Sequence, residues 1–221
     1  MATPIGNLSD ISERAKTILR DASVVACEDT RTSGNLLQHL GLKKPLFAYH
    51  EHNEQRMAPT LADRVAAGES VALICDAGTP TLSDPGFRVV RECRRRGLTV
   101  TPIPGPCAFI AALSASGLPT HAFRYAGFLP PKSAARLRFL EGIRDAQETH
   151  ILYESCHRIE KFTAEILETL GPERVICLAR ELTKLHETIL TGPAALIAPQ
   201  MCGNNLRGEF VVLIAPAGFV L

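Results

Sequence analysis

Several groups of residues in this 221-residue chain have the types and spacing to do chemistry. Glu28–Asp29–Thr30–Arg31 follows the apolar run Val24–Cys27 directly. Two carboxylates and a guanidinium at a strand end could orient a hydroxyl, accept its proton or bind a ribose. The same residues suit the start of a helix equally well, with Asp29 or Thr30 as cap and Arg31 pairing locally. Arg180–Glu181–Leu182–Thr183–Lys184, with Glu187 and Glu209, crowds charges of both signs at the end of another apolar run, where structural ion pairing is the competing reading. His50–Glu51–His52 would place both imidazoles on one face of a strand, as metal ligation requires. No further ligand cluster supports it, so a polar loop leading into a helix is expected there and no metal site.

A second class of signal is backbone rather than side chain. Gly/Pro turns recur where strands are expected to end: Thr3–Pro4–Ile5–Gly6–Asn7, Asp76–Ala77–Gly78–Thr79–Pro80 with Ser83–Asp84–Pro85–Gly86, and Pro102–Ile103–Pro104–Gly105–Pro106. In open α/β sheets ligands sit outside the carboxyl ends of strands, where turns without bulky side chains let backbone groups approach. None of these turns fits G-x-G-x-x-G or G-x-x-x-x-G-K-[ST], so neither a standard dinucleotide fold nor a P-loop is encoded. Basic residues cluster in two places. Arg88, Arg91 and Arg95 share a helical face, and Lys132, Arg136 and Arg138 follow Gly127–Phe128–Leu129–Pro130–Pro131. A solvated helix face is the ordinary reading of such runs; phosphate contact is the functional one.

The elements that would position these groups alternate. Val24–Cys27, Pro45–Tyr49, Ser70–Cys75 and Leu98–Ile103 read as buried strands. Between and after them helices are predicted over Ser33–Leu40, Asn53–Ala67, Asp84–Arg96 and Cys107–Ala115. The first helix opens on the capping-box-like Asp10-x-x-Glu13. This is the rhythm of an α/β domain with a largely parallel sheet. The turn-rich Ser116–Thr120 marks a boundary, giving expected domains of residues 1–117 and 118–221. Beyond it, strands are expected at Phe123–Phe128, Thr149–Tyr153, Val175–Ala179 and Glu209–Ala215, with helices at Ser133–Ile143 and His157–Leu170. A cleft between two α/β domains is the natural ligand site.

Composition sets the outer limits. A 46% apolar fraction supports a proper core, and 24 basic against 23 acidic residues, a net charge of +1, argues against a polybasic nucleic-acid binder. Seven scattered cysteines without a C-x-x-C pair fit reduced thiols in a cytoplasmic setting better than a zinc ribbon or a disulfide framework. The start has no signal-peptide pattern, and the apolar Phe210–Leu221 is too short to span a bilayer.

Taken in order, Ala2–Thr3–Pro4–Ile5–Gly6–Asn7–Leu8, Glu28–Asp29–Thr30–Arg31, His50–Glu51–His52–Asn53–Glu54, Asp76–Ala77–Gly78–Thr79–Pro80, Ser83–Asp84–Pro85–Gly86, Pro104–Gly105–Pro106, Gly127–Phe128–Leu129–Pro130, Tyr153–Glu154–Ser155 and Arg180–Glu181–Leu182–Thr183–Lys184 closely resemble the tetrapyrrole methylase superfamily, over essentially the whole chain. The branch they resemble methylates small-subunit ribosomal RNA. The resemblance implies two α/β domains with S-adenosylmethionine in the cleft between them, a homodimer, and 2′-O-methylation of a cytidine in the decoding centre of 16S rRNA in the 30S subunit. It also implies cofactor contacts from Pro4, Asp76, Ala77, Gly78, Thr79, Pro106, Cys107 and Ala108, and from Leu129, Tyr153 and Glu181. For proton transfer Glu28 or Asp29 is the first choice, with Arg31 positioning the RNA backbone. Lys184 competes if neighbours depress its ammonium. Arg88, Arg91, Arg95, Lys132 and Arg136 would then hold phosphates. Against the family pattern the chain opens on the Ala-Thr-Pro turn without the usual preceding apolar strand, so a stunted first strand is expected. It stops short of the usual C-terminal helical extension. Cys75 stands where Ser is common, and Cys156 where Pro is frequent. The alternatives are a corrin or porphyrin methyltransferase of the same superfamily, an RNA-binding protein without activity, and a His-x-His metal hydrolase.

Overall fold

Strand β1 (Val24–Cys27) is buried along its whole length. In the computed structural model, which describes residues 1–221, it is the middle strand of a parallel sheet between β2 (Leu46–Ala48) and β3 (Val71–Leu73). Successive residues of a strand point to opposite faces, and both faces here are covered. Val25 and Cys27 pack on Ala15 and Leu19 of α1 (Glu13–Asp21) and Leu37 of α2 (Thr30–His39). Ala26 points the other way, toward Ala58, Leu61 and Ala62 of α3 (Glu54–Ala66) and Val89 and Cys93 of α4 (Phe87–Arg95). A strand with a core on each face must be apolar at every position, which is why Val-Val-Ala-Cys shows no alternation.

Two expected details are corrected. Helix α1 is capped by Ser12, whose Oγ accepts from the Ala15 N–H at 3.1 Å. Asp10 lies one step earlier, in a 3-10 turn (Leu8–Asp10) whose own cap is Asn7. Leu98–Ile103 is not a strand, because an extended apolar segment becomes one only with a partner. β3 is the sheet's edge strand, and between it and residues 98–103 lies an apolar slot of about 340 Å³ lined by Met1, Val71, Leu73, Val89, Val100 and Ile103. The Met1 ammonium donates to the Leu73 carbonyl at 2.8 Å, and the Ala2 N–H to the Ile103 carbonyl at 3.3 Å.

Met1–Cys107 forms this first unit and Ala108–Leu221 the second. The division falls before α5 (Ala108–Ala115) rather than after it, because α5 packs on the second sheet, with Phe109 stacked on Tyr125 at 4.2 Å between centroids. That sheet runs β4 (Phe123–Phe128), β5 (Thr149–Ser155), β8 (Glu209–Ile214), β6 (Val175–Arg180), β7 (Thr188–Pro193). β4 and β5 are parallel; β8 is antiparallel to β5 and β6, and β7 to β6. Strand β7, which sequence patterning misses, is a half-buried edge ending in Gly192–Pro193, a pair that reads as a turn. Leu140 of α6 (Ser133–Gly142) and Ile159, Phe162 and Ile166 of α7 (Ile159–Leu170) build the core on Leu152, Ile176, Leu178, Val212 and Ile214. No helix is long and apolar enough to cross a membrane.

Candidate functional site

Parallel pairing brings the carboxyl ends of β1, β2 and β3 to one edge, and the chemistry of the first unit gathers there. The two neighbouring carboxylates part company. Asp29 caps α2: its Oδ1 accepts from the Arg31 N–H at 2.7 Å, and its carboxylate is gripped by the Arg31 guanidinium at 2.6–3.2 Å. Those bonds hold its carboxyl at about 2. Glu28 goes the other way: burial raises its carboxyl above the ordinary value, and the negative charges of Asp76 and Asp84 add to the rise. The capping reading of this motif is realised by Asp29, and Glu28 is left outside the cap. Arg31, 89% exposed, is engaged by Asp29.

The turn after β3 is tied to its neighbours on two sides. The Asp76 carboxylate accepts from the Asp29 N–H at 3.1 Å. Gly78 bridges to Thr3, and the Thr79 hydroxyl donates to the Pro106 carbonyl at 3.0 Å. Gly78 stands at φ +82°, and a Cβ there would press on Ile5 at 3.3 Å, so the tight approach of the Thr3–Ile5 turn needs glycine. The Cys75 thiol donates into the same turn, to the Ala77 carbonyl at 3.2 Å. Pro4 is buried beside it, while Asp76 and Ala77 face solvent. Cys107 is half-buried at the end of this unit, and Ala108 opens the next. Asp84, which the sequence marks only as part of a turn, also belongs to the acidic edge. Burial raises its carboxyl, against a hydrogen bond with Cys75, and the charge of Asp76 adds to the rise.

The His50–Glu54 segment is a scaffold. The Asn53 side chain accepts from the His50 N–H at 2.9 Å and donates to the Ala48 carbonyl at 3.0 Å. The Glu54 carboxylate takes the Arg88 Nε at 3.1 Å and the Gly86 N–H at 3.4 Å, fastening the start of α4. No group of three or more His, Cys, Asp or Glu side chains is placed to hold a metal ion.

In the second unit the ends of β4, β5 and β6 and the start of β8 share one edge. A bulge between Tyr125 and Gly127 leaves Phe128, 57% exposed, with its ring 5.6 Å from Tyr153. Tyr153 also meets Tyr125 edge-on at 5.3 Å, forming an aromatic group with Phe109. Leu129 is buried, and its carbonyl accepts from Arg158. The condition set for Lys184, a depressed ammonium, is not met. Burial alone would lower it, but Glu181 and Glu209, each 2.8 Å away, outweigh that and hold it above its ordinary value. Glu181 sits at φ +51°, its carboxylate also accepting from the Glu209 N–H at 3.0 Å. Gly208 allows this approach, since a Cβ there would come within 2.5 Å of the Glu181 side chain.

The basic clusters divide. Arg88 pairs with Glu54 and Arg95 with Glu92; Arg91 lies 5.4 Å over the Phe87 ring. Lys132 is exposed at the start of α6. Arg136, expected on the surface with it, is 2% exposed, forked onto Glu165 by two 2.7 Å bonds and donating to the Pro131 carbonyl. It fastens α6 to α7 and presents nothing to solvent.

Residues 2–198 match the family described as Tetrapyrrole (Corrin/Porphyrin) Methylases. The chain is 50% identical over 217 residues to the ribosomal RNA small subunit methyltransferase I of Pasteurella multocida, covering 97% of this chain and 77% of the relative. It is 48% identical to the enzyme of the same name from Escherichia coli O157:H7, covering 96% and 75%. Among solved structures it superposes on the methyltransferase CobJ with a TM-score of 0.68 at 19% identity, covering 96% of this chain and 90% of that one. The uroporphyrin-III-C-methyltransferase of Thermus thermophilus gives 0.65 at 21%, covering 96% and 91%. At such identities these two likenesses speak for the fold alone.

Proposed function

The chain belongs to the tetrapyrrole methylases, and from that premise we propose that it moves a methyl group from S-adenosylmethionine to the 2′-hydroxyl of a cytidine in 16S rRNA of the 30S subunit. The observation that carries this is near-full-length identity of about half to relatives named for small-subunit ribosomal RNA methylation. The first unit's edge fits the cofactor chemically. Asp76 offers an exposed carboxylate to hydroxyl or ammonium donors, and the Gly78–Thr79 and Pro106–Cys107 backbones, joined by the Thr79 hydroxyl, offer a surface free of bulky side chains. From the second unit, Leu129, Tyr153 and Glu181 are the proposed contacts. When bound, the cofactor supplies the electrophilic methyl group.

A ribose hydroxyl is a weak acid, and a positioned base contributes roughly 10²–10⁴-fold. Glu28 is our choice for that base, since burial and acidic neighbours raise its proton affinity, whereas Asp29 is committed to Arg31 and the helix start. As the hydroxyl oxygen takes the methyl group, the hydroxyl proton passes to the Glu28 carboxylate. Lys184, held as a paired ammonium, is left to fix the β6–β7 turn to β8. Holding the reactants in line can itself supply roughly 7–11 kcal/mol of barrier reduction. In the proposed setting the enzyme works as a cytoplasmic homodimer.

The test is methylation of 30S subunits with isotope-labelled S-adenosylmethionine, followed by nuclease digestion and mass mapping of the modified nucleoside. Label on the ribose of a single cytidine is expected. Label on a base, or transfer to a porphyrin or corrin but not to 30S, overturns the proposal.

A further inference from the structure

One site in the second unit belongs to none of the residues assigned above. Where β6 ends, β7 begins and residues 203–207 pass by, a polar cavity of about 560 Å³ opens to solvent, lined by Arg180, Leu185, His186, Glu187, Asn204 and Arg207 among others. Arg180 is its fixed wall. Its guanidinium donates to three backbone carbonyls, those of Arg207 at 2.5 Å, Asn204 at 3.3 Å and His186 at 3.4 Å, and so locks both loops in place. No carboxylate lies within ion-pair distance of Arg180, Arg207 or His186. Six other arginines, Arg31, Arg64, Arg88, Arg95, Arg96 and Arg158, each hold an acid. The acid in the cavity wall, Glu187, is turned onto the Thr183 N–H at 2.5 Å, and Lys184 is balanced by Glu181 and Glu209. The cavity wall thus carries two guanidiniums against one carboxylate, an excess of positive charge in a chain of net +1.

Size and chemistry together select the occupant. A cavity of this volume lies in the range that holds a nucleotide-sized ligand, and a lone small anion would leave most of it empty. The Asn204 side-chain amide can meet a base edge, and Leu185, 93% exposed at the lip, offers apolar surface for a base to lie on. The cavity also opens at the sheet edge that carries Phe128 and Tyr153. Three strand spacings, roughly 14 Å, separate β4 from β6, a distance that a short single-stranded segment spans. Resting on the RNA reading of the substrate given above, we propose that this cavity takes one nucleotide of the RNA strand, its phosphate on Arg207 and Arg180 and its base against Leu185 and Asn204.

Two variants test it, with a single-stranded 16S rRNA fragment and intact 30S subunits as probes. Arg207→Glu is expected to weaken RNA binding at least about tenfold and to flatten its salt dependence by about one phosphate contact. Its affinity for S-adenosylmethionine, read by calorimetry, should stay within about twofold of the parent. The chain contains no tryptophan, so Leu185→Trp adds a fluorophore on a dark background; RNA is expected to quench and shift its emission. RNA binding by Arg207→Glu equal to the parent's at every salt concentration, or emission from Leu185→Trp that RNA leaves unchanged, overturns the cavity assignment. An exposed lysine of the other unit, changed as Lys43→Glu, serves as the charge control, expected to move RNA affinity less than about twofold. If the parent itself neither binds nor methylates 30S, the substrate reading falls and the cavity assignment with it. A parent that methylates while both variants behave like it sinks the cavity alone.

Discussion

Arg136 and Glu165 form a buried pair whose removal has a calculable effect. Their side chains are 3% and 6% exposed, and the carboxylate takes two guanidinium bonds of 2.7 Å and the Ser133 hydroxyl at 2.6 Å. Arg136→Met strips both guanidinium bonds and leaves an anion facing one hydroxyl in an apolar surround. Breaking a buried pair in this way costs about 3–5 kcal/mol. For a unit the size of Ala108–Leu221 that corresponds to a fall in Tm of about 12–20 °C, at roughly 4 °C per kcal/mol. The double change Arg136→Met/Glu165→Leu removes the stranded charge as well and is expected to regain at least half of the loss, because apolar replacements of buried pairs are often neutral. Urea titration and calorimetry of the parent, both singles and the double decide it. Acid adds a signature. Burial alone would raise the Glu165 carboxyl, but the bonds from Arg136 and Ser133 and the charge of Arg136 bring it below its ordinary 4.5. A depressed carboxyl contributes stability above its unfolded value and loses it as the pH falls through the folded one. The parent's advantage over the double variant should therefore shrink below about pH 4.5. A single variant within about 1 kcal/mol of the parent, or a double no better than the single, refutes the reasoning. A folded double variant with impaired RNA binding would return Arg136 to the phosphate contacts.

The division of labour between Glu28 and Asp29 gives a second test. Glu28→Gln should lower methyl transfer by roughly 10²–10⁴-fold, and in the parent the rate should climb with pH through a value above 4.5, as a carboxyl raised by burial requires. Asp29→Asn keeps a competent cap and should leave turnover within about threefold; the reverse pattern in single-turnover assays would exchange the roles. Gly208→Ala sets a methyl group within 2.5 Å of Glu181 at φ +102° and should cost about 1–3 kcal/mol in urea unfolding. Ser12→Ala removes the α1 cap and should cost about 1 kcal/mol in the same measurement.

Much of the layout was legible because it depends on local rules. Val24–Cys27 has no polar position, so it had to be a strand covered on both faces. The turns Thr3–Asn7, Asp76–Pro80 and Pro104–Pro106 announce themselves by glycine and proline, and the structure does bring Thr3, Gly78, Thr79 and Pro106 together. Long-range partners were not legible. Helical spacing shows that Arg136 follows Lys132 by one turn, but which face is buried is decided by Glu165, on α7. Charge counting cannot show that Glu54 and Glu92 occupy Arg88 and Arg95 of α4. A short apolar, β-branched run marks Leu98–Ile103 as extended without supplying the neighbour that would make it a strand. The cavity behind Arg180 escaped for a related reason: its walls come from Arg180–Thr188 and Asn204–Arg207, which share no motif and meet through β8.

The slot beside β3 has a consequence for how the protein behaves in a tube. An edge strand turns one row of its amide and carbonyl groups away from its own sheet, and here an apolar trough runs alongside. The Met1 ammonium takes the Leu73 carbonyl, but no lysine or proline stands within Val71–Leu73, and the rest of this short apolar edge is a surface on which an extended hydrophobic segment can lie. At high concentration this rim is where molecules should adhere to one another first. A lysine placed at Val71, half exposed on that margin, is the natural remedy for anyone who must concentrate the protein.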